Sequence, residues 1–195
     1  MNRDRLTAFT DGVLAVIITI MVLEMRPPHG STLADLAALT PVFMSYVLSF
    51  IYIGLYWNNH HHFFQLVKAV NGTILWANLH LLFWLSIVPF TTAWVGENPF
   101  AAGPTAIYGV ALLMAAIAWY LMQTVIIRQQ GDTSPLRRAL GRDLKGKLSP
   151  FIYLAGIGLA FVNTVAADLL YLGVALMWLI PDRRVETAFG QSEPG

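Results

Sequence analysis

Residues 7–25 read TAFTDGVLAVIITIMVLEM, a largely apolar run of nineteen residues with an acid, Asp11, about one helical turn from its start. A run of this length is typical of a transmembrane helix, because about 20 helical residues cross the roughly 30 Å hydrocarbon core of a bilayer. A carboxylate is costly in hydrocarbon, so Asp11 is expected to face protein or water. The stretch therefore predicts a membrane helix with one polar side directed at a partner.

The composition of the whole chain is that of an integral membrane protein. Of its 195 residues, 56% are hydrophobic and only 12% are charged, about half the charged share of a soluble domain. The net charge of +1, with basic residues spread along the chain, does not predict nucleic-acid binding. The absence of cysteine excludes disulfides, thiolate zinc sites and cysteine nucleophiles. The first run lacks a small-residue cleavage site, so it is expected to be a retained span and not a signal peptide.

The apolar runs predict an all-α membrane protein with six transmembrane helices. The segment 150–180 is interpreted as a short hairpin broken near residues 163–168, because its 31 residues would extend about 46 Å as one straight helix. One six-helix transmembrane domain is expected over residues 1–182, followed by a short disordered tail over 183–195. The six predicted spans lie at about 7–25, 40–64, 73–95 and 104–128, with the last two in 150–180.

The basic residues predict the orientation of these spans. Cytoplasmic loops of membrane proteins carry an excess of Lys and Arg. With the N terminus in the cytoplasm, eleven of the twelve basic residues lie inside and only Arg26 lies outside. Merging the last two spans would place Arg183 and Arg184 on the wrong side, so both termini are expected to be cytoplasmic. The inside set is Arg3, Arg5, Lys68, Arg128, Arg137, Arg138, Arg142, Lys145, Lys147, Arg183 and Arg184.

Two linkers have patterns of their own. Leu136, Leu140 and Leu144 recur every four residues among basic residues, which fits either an interfacial helix on anionic lipid or a solvated basic loop. On the outer side, STLADLAAL at residues 31–39 predicts a short capped helix.

Within the fourth span, Gln123 is interpreted as a residue that forms a helix–helix hydrogen bond and not as part of a functional site.

Six residues of the first span share one helical face, defined here as the α1 stripe. The spacing follows i, i+3, i+4 and i+7. A small residue and a hydroxyl on this face suit close packing or a pore wall, whereas its aliphatic residues fit ordinary contact with lipid or helices equally well. Both interpretations stay open at this point. The α1 stripe consists of Phe9, Gly12, Val16, Thr19, Ile20 and Leu23.

Asp11 lies about 120° around the helix from the α1 stripe, so it is expected to point between helices. We predict a network that joins Arg5, Asp11 and a histidine of the second span, since buried charges persist when they are paired and hydrogen-bonded. If the spans alternate in direction, the end of the second span and the start of the third lie at the same depth in the membrane as Asp11. The side chains expected at that depth are Trp57, His60, His61, Trp76, Asn78 and His80.

The run His60-His61-His62 leaves two other interpretations open. One is a metal site, although consecutive helical residues diverge by 100° and the chain has neither an HExxH motif nor a cysteine. The other is a set of plain histidines at the membrane boundary.

The string Arg5-x-x-x-Phe9-Thr10-Asp11-Gly12-Val13, continuing to Glu24, resembles the first helix of the endolysosomal potassium channel family in its bacterial single-repeat form. That family's motif is Arg followed by Phe-Ser-Asp, so Thr10 replaces one hydroxyl residue by another. Two further elements match, and the resemblance covers most of residues 3–95. These elements are Trp57-x-x-His60-His61 and Phe90-Thr91-Thr92-Ala93-Trp94.

The resemblance implies a potassium-preferring cation channel of the bacterial inner membrane, without a TVGYG filter loop and without a cofactor. Four six-span subunits would assemble around a central pore lined by the first helix. Val16, Ile20 and Leu23 would form constriction rings, Val16 being smaller than the Ile or Leu usual there, and Thr19 would contribute to selectivity. The residues then assigned to a structural polar network are Arg5, Phe9, Thr10, Asp11, Trp57, His60, His61 and His80.

Two other function classes were weighed against a channel. A secondary transporter of a small cation or solute typically has a charge near the membrane midplane, a broken helix or paired repeats. The sequence has no midplane charge and no clear repeat. A membrane enzyme would need a nucleophile or a convincing ligand set. The resemblance therefore implies a channel and not an enzyme, with a secondary transporter as the alternative.

Overall fold

Helices form all the regular secondary structure in the part of the chain that the structure describes. This structure is a computed structural model, and it describes residues 2–67, 69–131, 134, 136–137 and 143–180. The all-α expectation is confirmed for those ranges. The helices with both ends described are α1 (Arg3–Glu24), α2 (Leu33–Ala37), α3 (Thr40–Gln65), α4 (Gly72–Glu97), α5 (Ala102–Gln130), α6 (Leu144–Leu159) and α7 (Thr164–Leu179).

Four of these helices, α1, α3, α4 and α5, are long and apolar enough to cross a membrane. The other two apolar helices, α6 and α7, have 16 residues each, which corresponds to about 24 Å of helix. They meet at a turn over residues 160–163, a few residues before the predicted break. The hairpin is therefore present, and the count of six full spans stays a prediction.

The exposed tryptophans of α4 lie where membrane interfaces would place them. Trp76 is 74% exposed and Trp94 is 37% exposed. They are 18 positions apart, so about 27 Å of helix separates them, close to the thickness of the hydrocarbon core. Tryptophan is enriched at both bilayer interfaces, and this spacing supports α4 as a membrane span.

Side-chain caps explain where several helices begin. Asn71 and Asn163 accept hydrogen bonds from the backbone N–H groups of Ile74 and Ala166 at the starts of α4 and α7. The predicted capped helix in the outer linker is α2, where Thr32 and Asp35 form a reciprocal capping box. The hydrogen bonds from the Thr32 side chain and then from its backbone lower the pKa of Asp35.

The basic linker before α6 is described only in part. Leu136 is buried against the main core, and Leu144 begins α6 with its side chain exposed. Leu140 and residues 183–195 lie outside the described residues, so the interfacial helix and the disordered tail stay predictions.

The helices pack into two clusters that share α3 and α5. The first cluster joins α1, α3, α4 and α5 through buried aliphatic side chains such as Leu14, Ile53 and Leu85. The second joins α3, α5, α6 and α7 around Tyr171, whose backbone carbonyl accepts a hydrogen bond from the hydroxyl of Tyr52. Helix α1 contacts only the first cluster, so it lies at one side of the subunit.

Two glycines allow α5, α6 and α7 to approach closely. A Cβ atom at Gly109 or at Gly156 would overlap the ring or hydroxyl of Tyr171. Small residues at such positions let membrane helices pack at short range. Tyr171 is fully buried because these two positions lack side chains.

We expect Gly156→Ala to destabilise the fold, because its new methyl group meets the Tyr171 ring and overpacking of this kind costs about 1–3 kcal/mol. The melting temperature of the purified protein in detergent should fall by several degrees. Gly158→Ala on the same helix is the matched control, since a Cβ atom there has no neighbour within 4 Å. Equal melting temperatures for the two variants would contradict this account of the helix contact.

Candidate pore face and its polar anchor

Helix α1 is buried on one face only. Its buried residues pack against α3 and α4 and recur at helical spacing. Each of the aliphatic ones is at most 3% exposed. The buried face consists of Leu6, Thr10, Leu14, Ile17 and Met21.

The α1 stripe lies on the opposite side of the helix and is exposed in the single chain. Phe9 is 53% exposed, Val16 55%, Ile20 39% and Leu23 79%. Gly12 and Thr19 are exposed on the same side, and a Cβ atom at Gly12 would meet open space. The chain therefore presents an apolar face, interrupted by one glycine and one hydroxyl, that the described residues leave largely exposed.

The hydroxyl of Thr19 has a defined orientation. It donates a hydrogen bond of 2.8 Å to the backbone carbonyl of Val16, one turn earlier. This bond uses the only hydroxyl proton, so the remaining lone pairs of Oγ1 are available as acceptors on the exposed side. An oxygen of this kind can coordinate a cation much as a carbonyl oxygen does.

A buried chain of hydrogen bonds holds α1 to the next two long helices. The Asn78 side-chain N–H of α4 donates to Thr10 Oγ1 of α1 at 2.9 Å. The Asn78 oxygen lies 2.9 Å from His60 Nε2 of α3. Since a carboxamide oxygen only accepts, His60 donates through Nε2 and its other ring nitrogen, Nδ1, carries a lone pair. Thr10, His60 and Asn78 are each at most 2% exposed.

The carboxylate of Asp11 has a separate partner at the edge of the subunit. Trp57 Nε1 of α3 donates to Asp11 Oδ1 at 3.1 Å. The indole of Trp57 in turn stacks on the ring of His61 with 6.3 Å between centroids. His61 also lies 3.0 Å from the Gln65 amide, one turn further along α3. Two polar contacts, one buried and one peripheral, thus fix the rotation of α1.

The predicted network of Arg5, Asp11 and a histidine has a different composition in the structure. Within the described ranges Arg5 forms no ion pair with Asp11, and the partner of Asp11 is an indole. The reason is geometric: six residues along a helix correspond to about 9 Å of rise and 240° of rotation, so the two side chains diverge. His60 joins Thr10 through Asn78, and His80 accepts a hydrogen bond from Trp84 within α4.

The buried link that sequence reasoning did not assign is Asn78. Its depth was expected, but it was left out of the network because one amide in a span gives no direction around the helix. The signal was a carboxamide two residues before His80 in the largely apolar sequence ILWANLHLL at residues 74–82. Among the described residues, no three His, Cys, Asp or Glu side chains converge on a common metal position.

We expect Asp11→Ala to weaken the attachment of α1, because it removes the acceptor for Trp57 and leaves an unpaired indole N–H. In a double-mutant cycle with Trp57→Phe, the two substitutions should show a coupling of about 1–2 kcal/mol in the free energy of unfolding. Asp11→Ala should also reduce the oligomer seen by size-exclusion chromatography or abolish current. The assignment of this contact would be contradicted if the stability losses of the two single variants simply added in the double variant. It would also be contradicted if the Asp11→Ala protein assembled and conducted as the wild type does.

Comparison with known proteins identifies the architecture. Residues 5–89 match the family model described as endosomal/lysosomal potassium channel TMEM175. A protein of Chryseobacterium sp. (strain P1-3), named a potassium channel, is 52% identical over 192 residues, covering 98% of this chain and 100% of the relative. A Streptomyces collinus protein, also named a potassium channel, is 31% identical over 177 residues, covering 84% and 85%.

A solved structure is similar over nearly the whole chain. It is the crystal structure of a lysosomal potassium-selective channel TMEM175 homolog from Chamaesiphon minutus, with a TM-score of 0.81 and 26% identity over 91% of this chain and 96% of that one. These relatives are ion channels, which confirms that a channel and not an enzyme is the right class. The resemblance of the first helix is confirmed: the chain is a multi-pass membrane protein that belongs to the TMEM175 family.

Proposed function

We propose that this chain forms a potassium-preferring channel in the inner membrane of a bacterium. Four copies of a six-span subunit, with both termini in the cytoplasm, surround a pore that the first helix of each copy lines. The observation that carries the proposal is the α1 stripe, an exposed face opposite the packed face of the same helix. The potassium-channel names of the relatives support the choice of ion.

Two features favour a pore over lipid on this face. Contact with lipid would account for Val16, Ile20 and Leu23, but it needs neither the gap at Gly12 nor the outward oxygen of Thr19. Lipid contact also needs no fixed rotation of α1. The contacts of Thr10 with Asn78 and of Asp11 with Trp57 restrict that rotation, and a pore wall requires such a restriction.

The aliphatic residues of the stripe are spaced to form successive rings. Val16, Ile20 and Leu23 follow one another at four and three residues, so three rings would occupy about 10 Å of the pore axis. A constriction of apolar side chains excludes ions by dewetting until it widens. These rings are therefore proposed as the barrier to conduction.

The hydroxyl of Thr19 is proposed as the selective element. It lies on the stripe within one turn of Val16 and Ile20, and four copies would place four oxygen atoms around the axis. No glycine-rich filter loop follows any span, so side-chain oxygens and pore width together would set the preference. Such a layer is expected to discriminate less strictly than stacked backbone carbonyls.

We expect Thr19→Ala to reduce the permeability of potassium relative to sodium by about fivefold, the equivalent of one net contact of about 1 kcal/mol. The measurement is the reversal potential under a potassium/sodium gradient in planar bilayers. Conduction itself should persist, because the rings remain.

Thr7→Ala is the matched control for this prediction. Thr7 is also on α1 and also donates to a carbonyl, that of Arg3 at 3.2 Å, but it lies on the far side of the helix from the stripe. Equal reversal potentials for wild type and Thr19→Ala would remove Thr19 from the selective layer. A flux that requires a coupled ion, and that a membrane potential alone cannot drive, would favour the secondary transporter instead.

We expect Ile20→Ser to raise the single-channel conductance severalfold, since a hydroxyl at the ring allows water to remain in the constriction. Val22→Ser is the comparison, because Val22 is exposed on α1 but is not part of the stripe. The measurement is the single-channel conductance of both variants, recorded in bilayers of the same composition. A larger increase from Val22→Ser would mean that the pore lies on another face of α1.

A further inference from the structure

A narrow slot lies between α3, α5, α6 and α7, away from the α1 stripe. It occupies the half of the subunit that contains the C-terminal ends of α3 and α5 and the start of α6. The distribution of basic residues assigns this half to the cytoplasmic side of the membrane. No step of the proposed conduction uses it.

The slot is long and thin. On α3 its wall runs from Tyr52 to Asn59, and on α5 from Ala116 to Gln123, so each helix contributes about 10 Å of wall along its axis. Its cavity volume is about 40 Å³, counted as the space open to the centre of a water molecule. A space of this shape admits a single unbranched chain more readily than a ring or a branched group.

The walls are mainly aromatic and carry no charge among the described residues that line the slot. Tyr120 is 47% exposed at the surface of the subunit, so the slot opens beside a side chain in contact with the membrane. An ionised ligand group would be desolvated here without a partner, which is strongly unfavourable. The aromatic lining consists of Tyr52, Tyr56, Trp119, Tyr120, Tyr153 and Trp178.

Two polar side chains that line the slot, Gln123 and Trp119, each carry a group without a hydrogen-bond partner in the described part of the chain. Gln123 is 4% exposed, and its amide forms no hydrogen bond within the described part of the chain, so the expected helix–helix bond is not formed. The amide faces the slot. One turn earlier on the same side of α5, the indole N–H of Trp119 is buried and also lacks a partner.

Two neighbouring polar side chains, Asn59 and Ser149, already form hydrogen bonds. Asn59 donates to the carbonyl of Leu55 at 2.8 Å. Ser149 donates to the carbonyl of Lys145 at 2.8 Å and accepts from Trp178 Nε1 at 2.9 Å. The amide of Gln123 and the indole N–H of Trp119 remain available to a ligand in the slot.

We propose that the slot binds an uncharged, single-chain amphiphile with one hydroxyl group, of the alkanol class. The hydroxyl exchanges hydrogen bonds with the amide of Gln123, which offers both a donor and an acceptor. The chain lies along the aromatic walls toward Tyr52 and Ala116, where burial of apolar surface stabilises it. Entry is from the membrane, beside Tyr120.

The test is photolabelling of the full-length protein in liposomes with an octanol that carries a diazirine, followed by peptide mass spectrometry. In the wild type, part of the labelling of α3 and α5 should be saturable and removed by unlabelled n-octanol. Gln123→Met removes the amide at nearly constant volume and should raise the octanol concentration needed for competition by about fivefold or more. Ala116→Leu fills the slot and should abolish the saturable labelling.

Thr124→Val is the matched control, because Thr124 neighbours Gln123 but donates to the Tyr120 carbonyl and does not line the slot. Unlabelled n-octanol should remove the labelling of this variant at the same concentration as in the wild type. Elution profile and melting temperature verify folding, and the two slot variants act independently, so the failure of one to fold leaves the other informative. Labelling that is never saturable, or competition unchanged in both slot variants, would overturn the proposal. The readout needs no ion flux, so it is separate from the proposed channel function.

Discussion

Helix α1 is attached to the bundle by a single face, and this attachment determines which of its side chains are exposed. Aliphatic burial alone would tolerate small rotations, because apolar residues surround most of this helix. The hydrogen bond between Thr10 and Asn78 does not, since a rotation by one residue would leave both groups unpaired in a medium without water. The direction of every other α1 side chain, including the α1 stripe, follows from that one orientation.

Sequence reasoning located the polar groups in depth but not always around the helix axis. Depth follows from a rise of about 1.5 Å per residue, so Asp11, Trp57 and His60 could be placed in one layer. The choice of partner depends on which face of α3 turns inward, and a helix that is apolar all round gives no such signal. A histidine was therefore expected beside Asp11, whereas the structure places Trp57 there and turns His60 toward Asn78.

For the fold as well, the features that depend on the lengths of apolar runs could be predicted, whereas those that depend on side-chain packing could not. The long spans and the hairpin of α6 and α7 follow from the lengths of apolar runs, and the start of α2 follows from the Thr32 cap. The close approach of α5, α6 and α7 does not, because it depends on Gly109 and Gly156 facing the same side chain, Tyr171.

Helix α3 is the element that the two sites share. Within four consecutive residues it holds Asp11 through Trp57, lines the slot with Asn59 and reaches Asn78 through His60. Successive side chains on a helix diverge by about 100°, so one turn can contact α1, the core and the slot at once. Because interiors are close-packed, a shift of α3 at the slot is transmitted to its neighbours and is not absorbed locally. The position of α1 and the shape of the slot are thus set by the same turn.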